Sequence, residues 1–129
     1  MPNIELEPKD DVSSFRRIAI GTWETSYDPS VYGTMELRMD KAVDYLQRFR
    51  KATGKRVTVT HLVAKAMAAA LARMPDANAI LRFNRLYLRK QIGVFFQVAM
   101  DDEGEGKIDL SGATLYDVEK KSLAEIIDE

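Results

Sequence analysis

The 129-residue chain contains no cysteine and only one histidine, His61. The missing cysteines exclude disulfide bonds, thiolate nucleophiles and zinc sites of the cysteine type. No apolar run approaches the length of a membrane span, and the first residues lack the basic start and apolar stretch of a signal peptide. We therefore expect a cytoplasmic protein that does not enter a membrane.

An excess of one charge is also missing. Nineteen Lys and Arg residues face 20 Asp and Glu residues, which leaves a formal net charge of −1. A balanced surface creates no general attraction for nucleic acids or anionic membranes, so neither is an expected partner. The length suits one domain, residues 1–129, in which the polar residues 1–13 form an extended lead-in.

The segment 57–78 organises the rest of the chain. Val57–Val59 predicts the end of a strand, and Thr60 is the expected N-cap of a helix over residues 62–74. Pro75 cannot continue the hydrogen-bond ladder and ends this helix. Because the helix is Ala-rich and almost entirely apolar, we expect it to lie in the core.

Two rows of side chains run along this predicted helix. The row with the spacing of a buried stripe consists of Val63, Ala66, Met67, Ala70, Leu71 and Met74. The second row consists of the small residues Ala64, Ala68 and Ala72. We expect the first row to be buried and the second to let a neighbouring element approach closely.

Shorter patterns on both sides complete the predicted fold. Before the central helix they predict a helix over 14–23 capped by Ser13 or Ser14, a loop over 25–30 with its turn at Asp28–Pro29, a strand over 31–39 and a helix from the cap Asp40 to Gly54. After it they predict strands over 86–88, 92–100 and 107–116, a turn over 101–106 and a helix over 118–129. The strand 92–100 is nearly continuous apolar sequence and is expected to be buried on both faces. The order of elements predicts an α/β (α+β) fold with a mixed sheet covered by helices.

Several segments, read in order, resemble one known domain. They are Phe15–Ala19, Tyr32–Asp40, Lys55–Thr60 continued by Met74–Ala79, and Arg85–Leu88 with Ile92–Val94 and Lys120–Ile126. Together they are similar to the catalytic domain of the dihydrolipoyl acyltransferase core subunit of 2-oxoacid dehydrogenase complexes. The similarity begins near Phe15, whose segment resembles the Arg-x-x-Ile-Ala opening helix of that domain, and it continues to the last residue.

This resemblance implies a fold, substrates and partners. The fold would be the first half of the coenzyme A-dependent acyltransferase fold, the one of chloramphenicol acetyltransferase. The activity would be transfer of acyl groups between dihydrolipoamide and coenzyme A, which are substrates and not covalently bound cofactors. Relatives form trimers with active sites at subunit junctions, so a trimer-based homo-oligomer and other 2-oxoacid dehydrogenase components are the expected partners.

The catalytic part of the family pattern is absent. Relatives carry a His-x-x-x-Asp-Gly motif, whose histidine is the general base, and an oxyanion-stabilising hydroxyl residue in a second half of the domain. His61 is not followed by Asp-Gly, so we expect no catalytic residue in this chain. Our hypothesis is that the chain corresponds to the first half of the domain, either as a fragment or as a shortened gene product. Residues 103–114 replace the Gly-Leu-Val-Val-Pro-Val-like strand that borders the substrate channel in relatives, which leaves the residues that bind coenzyme A open.

Two groups of polar residues have a functional and a structural interpretation. His61 is either a general base or a partly exposed imidazole at a helix start, and the second interpretation is preferred. The acidic residues Asp101, Asp102, Glu103 and Glu105 suggest a calcium loop. An EF-hand that began at Asp101 would place Gly112 where the bidentate Glu belongs, so a solvated turn is preferred and no metal site is predicted.

Three further groups are treated in the same way. Ser111–Gly112 lacks the Gly-x-Ser-x-Gly frame of a nucleophile elbow and predicts a turn or bulge. The basic residues Arg48, Arg50, Lys51, Lys55 and Arg56 either dock a phosphate of coenzyme A or of a nucleic acid, or form a solvated helix end. The aromatic residues Trp23, Tyr27 and Tyr32 either line a pocket or subunit contact, or pack in the core or at an interface.

Two functional hypotheses remain. In the first, the chain is part of an acyltransferase and a catalytic histidine comes from sequence outside it. In the second, the chain is a non-catalytic oligomeric scaffold or interaction protein derived from the same family.

Overall fold

The computed structural model describes residues 5–24, 28, 30–101 and 108–129. Its elements, in chain order, are β1 (Leu6–Pro8), α1 (Ser14–Thr22), α2 (Asp40–Thr53), α3 (Val59–Arg73), a 3₁₀ helix (Pro75–Asn78), β2 (Ala79–Arg82), β3 (Arg85–Arg89), β4 (Gly93–Asp101), β5 (Ile108–Tyr116) and α4 (Leu123–Asp128). This mixture of helices and sheets confirms the predicted α/β (α+β) class, and the described strand pairs are antiparallel.

The described strands form two sheets. In the first, β3 lies between β1 and β2, and the second is the hairpin of β4 and β5. The link between β2 and β3 is the dipeptide Phe83–Asn84, whose φ angles of 50° and 57° are typical of a type I′ turn. The β4–β5 register runs from Gly93 opposite Tyr116 to Asp101 opposite Ile108. The predicted lead-in therefore contains a strand, because β1 pairs with β3.

Two clusters of buried side chains form the core, and α4 contributes to both. Ile126 of α4 packs in the first cluster, and Leu123 packs in the second. The other buried members are Ala68, Ile92, Leu115 and Val118 in the first cluster, and Leu46 and Val57 in the second. Since α4 reaches both, it connects the β4–β5 hairpin and α3 with the segment that joins α2 to α3.

The two rows of α3 differ from the prediction in which side chains are buried. In the small row Ala64 and Ala68 are buried, with 4% and 0% of their surface exposed. In the other row Val63, Met67 and Met74 are 41%, 55% and 64% exposed, so their predicted burial is wrong, whereas Leu71 packs against the first core cluster. The prediction that the small row permits close approach is confirmed, because Ala68 lies in the cluster formed with the β4–β5 hairpin and α4.

The ends of α1 and α2 follow local sequence rules. Ser13 caps α1, and its Oγ accepts a hydrogen bond from the backbone N–H of Arg16 at 3.4 Å. Gly54 ends α2 with a φ of 69°, a left-handed conformation that a residue without a Cβ adopts at little cost. Asp40 is the first residue of α2 and not its cap, a position that Met39 occupies.

The start of α3 corrects a second prediction. Thr58 is the N-cap, two residues before the predicted Thr60, and Val59 is already helical. Val57–Val59 is therefore not the end of a strand. The reason is His61, whose side chain accepts from the backbone of Thr58 and so fixes the earlier start.

Residues 31–39 do not form the predicted strand. Val31 and Tyr32 are 93% and 92% exposed, and the segment pairs with no strand in the described ranges. Alternation of polar and apolar side chains shows that a segment is suited to a half-buried strand. The strand forms only where a neighbouring strand completes the hydrogen-bond ladder.

The C-terminal third departs from the prediction in two places. α4 begins at Leu123, with Ser122 as its cap, and Val118 lies before the helix in a buried turn. β4 is a strand as predicted, but it is not buried on both faces, since Phe95 is 64% exposed. Of the predicted turns, most of 25–30 and residues 102–106 lie outside the described residues.

Candidate functional site

His61 lies in the first turn of α3, where its side chain is part of the helix cap. Its Nδ1 accepts a hydrogen bond from the backbone N–H of Thr58 at 3.1 Å and lies 2.6 Å from Thr58 Oγ1. The imidazole takes the place that Glu or Gln occupies in a capping box. Its ring lies against Phe96 of β4, with 6.1 Å between the ring centroids.

This geometry decides what His61 can do chemically. A backbone N–H can only donate, so Nδ1 carries no proton and the proton of the neutral ring is on Nε2. Partial burial lowers the pKa of His61, which further favours the neutral ring. A general base must offer a lone pair to the substrate, and the lone pair of neutral His61 is used by the cap. The preferred structural interpretation of His61 thus fits the geometry.

The predicted basic cluster at the end of α2 separates into two groups. Arg50 Nε donates to the carbonyl of Val57 at 2.8 Å, and Lys55 forms an ion pair with Asp128. Arg50 therefore stabilises the junction between α2 and α3, and Lys55 connects this junction with α4. The remaining members, Arg48, Lys51 and Arg56, have no hydrogen-bond or ion-pair partner within the described ranges. Arg48 and Lys51 line a surface concavity of about 390 Å³.

Sequence reasoning missed an anchor made by Lys65 of α3. Its Nζ donates to the carbonyl oxygens of Val118 at 3.0 Å, Glu119 at 2.8 Å and Lys121 at 2.5 Å. Three acceptors satisfy all three N–H donors of an ammonium group. Lys65 therefore holds the turn before α4 against α3, and nothing in the local sequence pattern indicates this contact across more than 50 residues.

A second missed feature is the pair of cations on Asp76. Arg16 Nη1 lies 2.7 Å from one carboxylate oxygen of Asp76, and Lys9 forms an ion pair with the other. The hydrogen bonds from Lys9 and then from Arg16 lower the pKa of Asp76. The network connects α1 and the segment after β1 with the 3₁₀ helix, so its role is positional.

Two of the other predicted site residues, Ser111 and Gly112, lie within β5. Ser111 and Gly112 pair in regular register with Val98 and Gln97, so the predicted turn or bulge is wrong. A Cβ on Gly112 would overlap the Phe95 ring and come within 2.9 Å of the Phe96 carbonyl, which gives this glycine a packing role.

Two members of the predicted aromatic group, Trp23 and Tyr32, lie at exposed positions. Trp23 is 70% exposed and makes an edge-to-face contact with Phe15 at 6.2 Å, and Tyr32 is exposed as well. Tyr27 and the acidic residues Asp102, Glu103 and Glu105 lie outside the described residues. The core part of that interpretation is therefore wrong for Trp23 and Tyr32, and packing at an interface stays a prediction.

Two classes of site are not found in the described part of the chain. No three His, Cys, Asp or Glu side chains there are grouped so as to hold a metal ion. None of the helices described is both long enough and apolar enough to cross a membrane.

Comparison with known proteins gives one match. The family model for the 2-oxoacid dehydrogenases acyltransferase (catalytic domain) matches residues 8–129. No curated protein and no solved structure matches the chain.

Proposed function

Because the chain belongs to the 2-oxoacid dehydrogenase acyltransferase catalytic-domain family, we propose that it is part of an enzyme that moves acyl groups between coenzyme A and dihydrolipoamide. The observation that carries this proposal is the family match, which spans nearly the whole chain. In this enzyme the 129 residues supply framework and substrate contacts, and they supply no general base.

The engaged Nδ1 of His61 supports the second part of the proposal. It is the only histidine of the chain, and its single lone pair lies in the helix cap. The base that removes the thiol proton of coenzyme A or dihydrolipoamide therefore comes from polypeptide other than these residues.

The activity of the isolated chain tests this assignment. Acyl transfer from an acyl-coenzyme A to dihydrolipoamide is measured by the release of free coenzyme A. It is expected to run at the uncatalysed rate for both the wild type and His61→Gln. Measurable turnover that His61→Gln abolishes would show that His61 is a base after all.

The free cations at the end of α2 are the proposed contacts for the phosphates of coenzyme A. Arg48 and Lys51 line one concavity together with Asp44 and Gln47, and neither cation forms an ion pair in the described part of the chain. Arginine and lysine both recognise phosphate oxygens by charge-assisted hydrogen bonds. The committed cations Arg50 and Lys55 are excluded from this role because they hold the fold.

Calorimetric titration with coenzyme A tests the phosphate contact. The double variant Arg48→Gln/Lys51→Gln is expected to bind about tenfold more weakly, with a smaller salt dependence. Lys41→Gln, at the other end of α2, is the matched control and is expected to leave the affinity unchanged. Equal affinity of the double variant and the wild type would contradict the assignment.

A second candidate function is the non-catalytic, self-associating scaffold. The observation in its favour is a set of large apolar side chains that are exposed in the described residues, among them Val31, Tyr32, Met35, Met67 and Met74. Burial of such side chains between copies of the chain would be favourable.

Molar mass in solution tests the scaffold hypothesis. Size-exclusion chromatography with light scattering is expected to give a trimer or a larger assembly of this chain, in line with the proposed trimer-based partners. A monomer at micromolar concentration would remove this candidate.

A further inference from the structure

A cavity of about 430 Å³ lies between the segment that follows β1, helix α1 and the start of β3. Val12, Ile20 and Leu86 are half-buried and form its apolar lining. The size falls within the usual range of small-molecule sites. No residue of α2 or α3 lines it, so this cavity is separate from the proposed coenzyme A contacts.

Two arginines face this cavity without a carboxylate partner. Arg17 donates a hydrogen bond from Nη2 to the backbone carbonyl of Asp10 at 3.3 Å. Arg85 makes no side-chain hydrogen bond or ion pair to any described residue. Lys9 also lines the cavity, but its ammonium is committed to Asp76. The two arginines outnumber the single free carboxyl group in the lining, that of Asp10, so the net positive charge favours an anion.

The turn between β2 and β3 determines where Arg85 stands. Arg85 follows Phe83 and Asn84, and all three residues belong to the tight hairpin end. Phe83 is 84% exposed and has a φ of 50°, although bulky residues seldom adopt a positive φ. Asn84 lines the cavity next to Arg85. Such a short hairpin leaves little freedom at the position of Arg85.

We propose that this cavity binds a small amphipathic carboxylate. The carboxylate accepts hydrogen bonds from the guanidinium groups of Arg17 and Arg85, and the apolar body lies on Val12, Ile20 and Leu86. The carboxyl group of Asp10, which also lines the cavity, offsets one of the two free positive charges. One net positive charge favours a monoanion such as a carboxylate over a phosphate dianion. This inference does not depend on the proposed function.

Octanoate is the probe, and its binding is measured in a titration by the changes in backbone amide chemical shifts. The expected result is saturable binding at millimolar concentrations with shifts confined to residues that line the cavity. Acetate, which lacks the apolar body, and octanol, which lacks the charge, are each expected to bind about tenfold more weakly. Octyl phosphate is expected to bind more weakly than octanoate. Acetate that bound as well as octanoate would reduce the site to non-specific charge attraction and would overturn the proposal.

Variants locate the carboxylate contacts. Arg85→Gln and Arg17→Gln are each expected to weaken octanoate binding about tenfold. Arg82→Gln is the matched control, because Arg82 is exposed on the same hairpin, pairs across the strands with Arg85 and does not line the cavity. Its affinity is expected to stay within about twofold of the wild type. Unfolding midpoints of all three variants show whether each is folded. Absence of octanoate binding to the wild type, or an equal loss in Arg82→Gln, would refute the proposed site.

Discussion

The two rows of side chains on α3 differ in size and face opposite surroundings. In the row of small residues Ala64 and Ala68 are buried, and Ala68 packs against the β4–β5 hairpin and α4. The row of larger residues, represented by Val63 and Met67, is substantially exposed. Apolar area alone would have buried the larger row, since its transfer from water is more favourable. The close approach that alanine permits decided which face became the interior.

The difference shows that the inner face is defined by fit. Ala68 has no exposed surface and shares its cluster with Leu115, Val118 and Ile126. These larger side chains fill most of the cluster, and the small side chain of Ala68 leaves room for them. Interiors are packed as densely as organic crystals, so a longer side chain at Ala68 would need space that does not exist.

A larger side chain at Ala68 is expected to have the largest effect on stability. Ala68→Leu should lower the free energy of unfolding by about 3 kcal/mol, because three added carbon atoms must displace the β4–β5 hairpin or α4. Met67→Leu, one residue away on the exposed row, is the control and should change it by less than about 0.5 kcal/mol. Urea titrations measure both. Equal effects of the two variants would mean that the rows do not differ in packing.

Removal of the Lys65 anchor is expected to have the next largest effect. Lys65→Met keeps most of the aliphatic chain and removes the ammonium that binds the carbonyls of Val118, Glu119 and Lys121. The expected loss is about 2 kcal/mol, since hydrogen bonds to charged groups are the stronger ones. Lys120→Met is the control, because Lys120 is exposed and, among the described residues, forms ion pairs with Asp117 and Glu119 alone. A loss of unfolding free energy no larger than that of the control would show that the Lys65 anchor does not stabilise the packing of α3 against the turn before α4.

The helix cap at His61 is expected to have an intermediate effect. His61→Ala should cost about 1 kcal/mol through loss of the capping interaction, whereas His61→Gln should retain most of it.

The same cap predicts a pH dependence of stability. Burial lowers the pKa of His61 below its ordinary value of 6.5, so the unfolded chain takes up the proton more readily than the folded chain. The wild type should therefore lose stability as the pH falls below 6.5, until the pH passes the pKa of the folded state. Thermal unfolding between pH 7.5 and pH 5 should show this loss in the wild type but a smaller one in His61→Gln. Identical pH profiles would contradict the role assigned to Nδ1.

The exposed row itself is expected to show the smallest effect on stability. Met67→Gln and Met74→Gln together should change the free energy of unfolding by less than about 0.5 kcal/mol, because both side chains are more than half exposed. If the exposed row is a contact between copies, the same variant should lower the molar mass in solution. A large loss of stability in a monomeric sample would mean that the row is buried within one chain.

Local patterns predicted the elements with strong signals. The helix of residues 14–22 with its Ser13 cap, the stop at Gly54 and the break at Pro75 each follow from one residue's backbone chemistry. The family resemblance, drawn from segments such as Phe15–Ala19, is confirmed by the family match.

Contacts between distant residues were not predictable in this way. The Lys65 anchor, the cations on Asp76 and the arginines beside the α1 cavity join residues far apart in the chain. The strand predicted over 31–39 failed for a related reason, since a strand requires a partner that its own sequence does not specify.

The sequence by itself determined that the helices exist, where Ser13, Gly54 and Pro75 begin or end them, the two rows of α3 and the family of the domain. The tertiary structure decided which row is inside, and it committed Arg50, Lys55 and His61 to holding the fold. The physical reason is one of range. Helix capping and helix termination depend on neighbours within one helical turn. Burial and charge pairing depend on which residues from distant parts of the chain are brought into contact.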